Sequence, residues 1–190
     1  MEPLAKSMIS VSWGIFFVVW VLAAIFTKRT VYHQSGARHL RYMIPIVLGC
    51  FLVFRGYRLR PPFNTHLFPQ TDAILVAAAI LCLCGVGFCL WARAVLGRNW
   101  SGTVTLKENH ELVVRGPYRL VRHPIYTGLL AMLIATWMEQ GHIAGMIGLV
   151  LVFVSFWIKL NYEEELMRKQ FPKQYADYQE RVKRIIPFIL

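Results

Sequence analysis

A length of 190 residues permits one domain and argues against two. Hydrophobic residues make up 56% and charged residues only 16%, gathered in blocks, which excludes an ordinary soluble domain and points to an integral membrane protein. The net charge of +11 then belongs to cytoplasmic loops that touch anionic lipid; no basic soluble domain exists to carry nucleic acid, and no nucleic-acid partner is expected.

Ser7 to Thr27 is an apolar run of about 20 residues, enough to cross a bilayer. Lys6 is the only basic residue before it and no small-residue cleavage site follows, so it does not read as a cleavable signal. Lys28, Arg29, Arg38 and Arg41 fill the next loop. Tyr42 to Phe54, extended to Tyr57, is a second run that just spans. Pro61, Pro62, Asn64 and Pro69 mark the segment Arg58 to Thr71 as a loop without regular helix. Asp72 to Leu96 is the third and longest run, with Asp72 as the expected N-cap.

Gly97 to Pro124 is a polar, Arg-rich linker. Ile125 to Met138 is a fourth apolar run, short for a full crossing at about 1.5 Å per residue. Gly141 breaks the chain, and Ile143 to Leu160 returns as a fifth run, so the pair reads as a tight helical hairpin. With five spans, the Lys28–Arg41 loop, the linker and the C-terminal tail share one side, and their Lys and Arg content makes that side cytoplasmic. In the tail, Phe171, Tyr175, Tyr178 and Val182 form one apolar stripe, which suits an amphipathic helix on the membrane surface or a lid over a pocket; Pro172 starts a new helical turn.

The cysteines, Cys50, Cys82, Cys84 and Cys89, all lie in apolar runs without zinc spacing; they read as small core residues, and no metal site or disulfide framework is expected.

Polar chemistry concentrates in Val113 to Gly128 and in Glu163-Glu164-Glu165. Glu164 with Arg168, and Glu165 with Lys169, read as solvated pairs four residues apart. Glu163 instead has Lys159 one turn earlier, on a face that continues the membrane helix, which singles it out; a plain helix-end ion pair is the competing explanation. Arg115, Arg119 and Arg122 read as lipid-phosphate contacts. His123 precedes Pro124, which biases it away from helix at the mouth of an apolar span, with Tyr126 three residues on. The dipole at that helix start favours an anionic group, and Gly116 and Gly128 allow close backbone approach. From the residues alone this is a polar cofactor pocket at the cytoplasmic face.

The order Leu112-Val113, Gly116-Pro117-Tyr118, Arg122-His123-Pro124-x-Tyr126-x-Gly128, then Glu163-Glu164, Phe171, Tyr175-x-x-Tyr178, Val182 and Ile186-Pro187 resembles the isoprenylcysteine carboxyl methyltransferase family and the related phospholipid N-methyltransferases. The resemblance covers roughly the last 95 residues. It implies an all-α integral membrane protein of about five transmembrane helices, with a cytoplasmic C-terminal amphipathic helix covering an S-adenosyl-L-methionine pocket. Residues 1–190 form one membrane methyltransferase domain in this reading, 1–96 giving three spans and 97–190 the cofactor-binding linker, the helical hairpin and the C-terminal helix.

By position, the resemblance implies a cofactor wall from His110, Glu111, Leu112 and Val113, with Tyr118, His123, Pro124, Ile125 and Tyr126 around the methionine and adenosine parts. Thr105 is a further candidate, and Glu163 matches the family's cofactor-binding glutamate, with Glu164 beside it. Lys159 and Glu163 are the catalytic candidates. The chain departs from the family's carboxyl methyltransferases, which resemble each other in an arginine where this chain has Lys159; lysine supplies charge without a bidentate fork.

The implied activity is methyl transfer to a lipidic or lipidated acceptor entering from the bilayer, in a bacterial inner membrane or the endoplasmic reticulum. The alternatives are a phospholipid (ethanolamine) N-methyltransferase, a sterol-reductase-like NADPH oxidoreductase, whose chains carry many more spans, and a non-enzymatic scaffold or transporter.

Overall fold

A computed structural model describes residues 2–25, 36–100 and 112–189, together with the backbone of 30–33 and 105–107. Six helices carry the fold: α1 (Glu2–Ala24), α2 (Gly36–Arg55), α3 (Asp72–Leu96), α4 (Pro124–Gln140), α5 (Ile143–Gln170) and α6 (Pro172–Arg181). Two short strands, β1 (Thr30–His33) and β2 (Thr105–Lys107), pair antiparallel and tie the α1–α2 connection to the linker. Among the described residues four segments, built on α1, α2, α3 and α5, are long and apolar enough to cross a membrane, and the protein is a multi-pass membrane protein. With 17 residues α4 spans about 25 Å, less than a hydrocarbon core of about 30 Å.

The bounds of α3 coincide with its apolar run, but its N-cap is Thr71, whose hydroxyl accepts from Ile74 N at 3.4 Å; Asp72 is the first helical residue and complements the dipole. Arg38 and Arg41 are not loop residues: α2 begins at Gly36 and takes both into its first turns. The continuation of the membrane helix past its apolar run is seen in α5. Its apolar run stops at Leu160, yet the helix continues through the charged segment to Gln170, where Pro172 forces a restart as α6.

Packing sorts the helices into two tight groups. Gly85 of α3 and Gly128 of α4 face each other so closely that a Cβ on Gly128 would stand 2.6 Å from Gly85 O and 2.5 Å from Cys89 Sγ. Gly49 of α2 and Gly148 of α5 repeat the device, each meeting the other's carbonyl oxygen. Lipid is as apolar as leucine, so helices in a bilayer gain by close backbone approach at small residues rather than by hydrophobic burial. Thus the close backbone approach read from the sequence at Gly128 is that of a neighbouring helix. Cys82 and Cys89 are buried in this core, Cys50 is partly buried and Cys84 lies exposed on the outer side of α3.

The bundle has two distinct ends. At one, Lys6 of α1 lies 3.6 Å from Glu139 of α4, and the 59–71 segment packs on the α4–α5 turn through Leu67 N to Gly141 O and Ile143 N to Thr65 O. The other end gathers the linker, the start of α4, the last turns of α5, and α6. There Arg93 donates to Ala23 O and Gly97 O, joining the ends of α1 and α3.

Candidate functional site

The site forms where the linker meets α4 and α5. His123, at φ −128° and ψ 63°, caps α4 in a non-helical conformation, and Pro124 opens the helix. Residues 183–185 run beside 121–123, with Arg122 N donating to Lys183 O at 2.8 Å and His123 N to Arg184 O at 3.0 Å. Thr127 Oγ1 donates to Ile185 O at 2.7 Å. The C-terminal segment thereby fixes the start of α4.

Glu163 and Glu164 are neighbours on α5, about 100° apart around the helix, and their surroundings differ completely. Glu164 is fully buried. Its carboxylate accepts from Arg122 Nε at 3.0 Å, from the Arg184 guanidinium at 2.6 and 3.1 Å, and from Gln179 Nε2 at 2.9 Å. The His123 ring nitrogen Nε2 stands 3.1 Å from the same carboxylate. The sequence reading of Glu164 as a solvated partner of Arg168 is therefore corrected: Arg168 lies 3.9 Å away and largely exposed, while the four closer partners come from elsewhere in the chain. Arg122, read as a lipid contact, is likewise spent inside, on Glu164 and on the carbonyl oxygens of Gln179 and Val182.

Glu163 keeps one oxygen accepting from Tyr126 Oη at 2.6 Å, with Lys159 Nζ 3.9 Å away and His123 Nδ1 3.7 Å from the other oxygen. His123 thus turns one ring nitrogen to each glutamate. Lys159 Nζ also sits over the rings of Tyr42 and Tyr126, at 5.5 and 5.4 Å. From α6, Tyr178 Oη donates to Tyr118 O at 2.5 Å. Burial raises both phenols well above the usual tyrosine range, so both stay neutral and Tyr178 remains a donor. The aromatic stripe of the tail faces inward, with Tyr175 and Tyr178 buried against protein rather than lying on lipid.

These groups border one cavity of about 730 Å³. Its polar end has Tyr118, Arg122, His123, Tyr126, Lys159 and Glu163, walled by Leu112, Val113, Trp100, Tyr175 and Tyr178. Asn99 Oδ1 is buried there without a hydrogen-bond partner among the described residues. From that end the cavity continues between α1 and α2 as an apolar trough of Trp13, Phe16, Phe17 and Trp20 on one side and Ile46, Cys50 and Phe54 on the other; Leu129, Leu133 and Phe156 line its inner wall. One carboxylate, one ammonium and several phenols meet at one end, and a long apolar slot leaves from it. The arrangement suits a polar head and a hydrocarbon chain bound together.

The family profile for phospholipid methyltransferases matches residues 73–174, from α3 into α6. The chain belongs to this family. Among its relatives, protein-S-isoprenylcysteine O-methyltransferase B of Arabidopsis thaliana is 32% identical over 96 residues, 49% of each chain. The protein-S-isoprenylcysteine O-methyltransferase of Tribolium castaneum is 31% identical over 135 residues, 66% of this chain and 47% of its own. The enzyme of that name from Schizosaccharomyces pombe is 32% identical over 148 residues, 75% of this chain and 58% of its own. The chain thus spans about half the length of the curated relatives it matches.

Within the family-matching part, Leu112, Val113, Tyr118, His123, Pro124, Ile125, Tyr126, Lys159 and Glu163 all border the cavity. Glu164 does not border it, and stands behind His123. Thr105 lies in β2 opposite His33, with its side chain outside the described residues; His110 and Glu111 fall wholly outside them. The sequence reading missed Asn99, Trp100 and the trough residues of α1 and α2, which no motif marks, and missed Gln179 and Arg184 as partners of Glu164.

Proposed function

We propose that the chain is an S-adenosyl-L-methionine-dependent methyltransferase whose acceptor is a lipidic or lipidated molecule, most like an isoprenylcysteine carboxyl O-methyltransferase. One observation carries this reading: a single cavity runs unbroken from the Glu163–Tyr126–His123–Lys159 cluster into an aromatic trough within the membrane part of the bundle. Family membership and the names of the relatives support it.

The donor set fits the cofactor. Glu163 offers a carboxylate to its cationic groups, and Asn99 Oδ1, without a partner among the described residues, is an acceptor suited to an exocyclic amine. Trp100, Tyr175, Tyr178, Leu112 and Val113 supply a wall for a flat ring, and Tyr118, Pro124, Ile125 and Tyr126 complete the enclosure. S-adenosyl-L-methionine supplies an activated sulfonium methyl. Catalysis by the protein is then mostly positioning, with the acceptor held in line at about 3–3.5 Å. Lys159 directs an ionised carboxylate acceptor, which needs no base. Glu164, through His123 and Arg122, holds the wall of the site without touching the reactants. The soluble cofactor enters from the cytoplasm, on the side of the linker and the tail, and the lipid chain enters sideways between α1 and α2.

The test is calorimetric binding to detergent-purified protein. S-adenosyl-L-methionine and its demethylated product bind and NADPH does not, and Glu163→Gln weakens the cofactor by about 10- to 100-fold, the worth of one charge-assisted contact. Unchanged affinity in Glu163→Gln overturns the pocket assignment. Labelled cofactor offered with a prenylcysteine or with phosphatidylethanolamine then separates carboxylate from amine transfer.

A further inference from the structure

The apolar trough has a floor. Trp13 of α1 and Phe54 of α2 meet across it edge to face, with ring centroids 5.2 Å apart at 74°. Trp13 is locked in place: its indole Nε1–H donates to Thr136 Oγ1 at 3.0 Å, and Thr136 spends its own proton on Met132 O at 2.9 Å. On the far side of these two rings lies a second cavity, of about 550 Å³, which both rings also border. That cavity is of a different kind. Its walls include Lys6, Glu139, Gln70 and His142, with Lys6 and Glu139 3.6 Å apart.

Two barriers therefore coincide at the same depth. A hydrocarbon chain descending from the polar end gains free energy while it covers Phe16, Leu133 and Phe156. At Trp13 and Phe54 it meets a hydrogen-bonded ring with no freedom to swing aside. Past the rings, further chain would have to desolvate an ion pair and polar side chains instead of apolar wall. From Tyr126 to Leu133 the trough descends roughly 10 Å along α4, so the distance between head and floor is fixed by rigid elements. We propose that the Trp13–Phe54 pair is the specificity-determining floor of the trough, setting the longest apolar chain an acceptor can carry. The proposal rests on the reading of the site as one that methylates a lipidated acceptor. Both rings lie outside the segment that matches the family profile, residues 73–174.

The experiment uses the full chain purified in detergent, labelled S-adenosyl-L-methionine, and N-acetylcysteine carrying a geranyl, farnesyl or geranylgeranyl thioether. The wild type shows a cut-off within this series. In Trp13→Leu and Phe54→Leu the kcat/KM ratio of the first rejected chain to the accepted one rises by about tenfold or more, the scale on which an apolar pocket discriminates by size. Equal rates along the series in the wild type, or an unchanged ratio in variants that keep a cooperative thermal transition, overturns the floor. A second arm uses only the wild type: the longest prenyl chain of the series that binds, bearing a diazirine at its far end, is photolysed and the labelled peptide identified. Label on Trp13 or Phe54 supports the floor, and label elsewhere overturns it. If no acceptor is methylated but the probe labels Trp13 or Phe54, the methyl-transfer reading falls while the floor stands.

Discussion

At its linker end α4 is fastened by charge, and a turn further along it is fastened by the absence of side chains. The start of the helix is pinned through His123 and Arg122 to the buried carboxylate of Glu164, which also gathers Arg184 and Gln179. About 7 Å further down, Gly128 lies against Gly85 with no room for a methyl group. Where the backbone is irregular, as in the linker, directional bonds to a fixed ion are the means of holding it. Between regular helices in lipid, the means is close approach. The cavity occupies the space that neither device closes, between α1 on one side and α2 on the other.

The most damaging way to break this comparison is at the charge. Glu164→Ala leaves the Arg122 and Arg184 guanidinium groups, both mostly buried, without their carboxylate. Loss of one member of a buried pair costs about 3–5 kcal/mol. Thermal unfolding in detergent should fall steeply for Glu164→Ala. The adjacent Glu163→Gln, whose side chain faces the cavity and still accepts from Tyr126, should unfold close to the wild type. Equal effects at the two positions would show that the division between a holding and a binding glutamate is wrong.

The second break is at the seam. Gly128→Ala drives a Cβ to 2.5 Å from Cys89 Sγ and 2.6 Å from Gly85 O, and overpacking of this kind costs about 1–3 kcal/mol. Gly87, two residues from Gly85 on α3 and with nothing within 4 Å of a built Cβ, is the control. Gly87→Ala gains up to about 1 kcal/mol from helix propensity alone. Opposite signs in the two melting shifts would sharpen the claim that position, not glycine content, decides.

How far the sequence carries the reader follows the same division. The bounds of α3 are legible because turn residues precede one long apolar run, interrupted only by Arg93 in its last turn, and Gly97 ends it. The end of α5 is legible by another signal: apolarity stops at Leu160, but the Lys159–Glu163 spacing continues the helix, Pro172 marks its restart, and the hydrogen-bonded ladder runs to Gln170. Helical spacing picks Glu163 out correctly as the glutamate on the face of Lys159, since that inference needs only one helix. It misreads Glu164, because spacing sees Arg168 on the same helix and is blind to Arg122, Arg184 and Gln179. The trough is illegible for a related reason: in their apolar runs α1 and α2 carry no charged residue on any side, so nothing in their pattern says which side meets lipid and which lines a cavity.

The smallest effect worth measuring sits between the two regions, where α6 closes on the linker. Tyr178→Phe removes one hydrogen bond, to Tyr118 O, and should cost about 1 kcal/mol. Its pH dependence separates a buried donor from a mere ring contact. Burial holds the Tyr178 phenol above its usual range, so the folded state favours the neutral form. A group with a raised folded pKa contributes fully below its unfolded value, about 10 for tyrosine, and loses that contribution as pH rises through the folded one. The stability gap between the wild type and Tyr178→Phe should therefore be flat from neutral pH to about 9 and narrow above about 10. A gap that stays constant into strongly alkaline solution would mean that the Tyr178 hydroxyl is not buried on folding, and that α6 meets the linker through the ring alone.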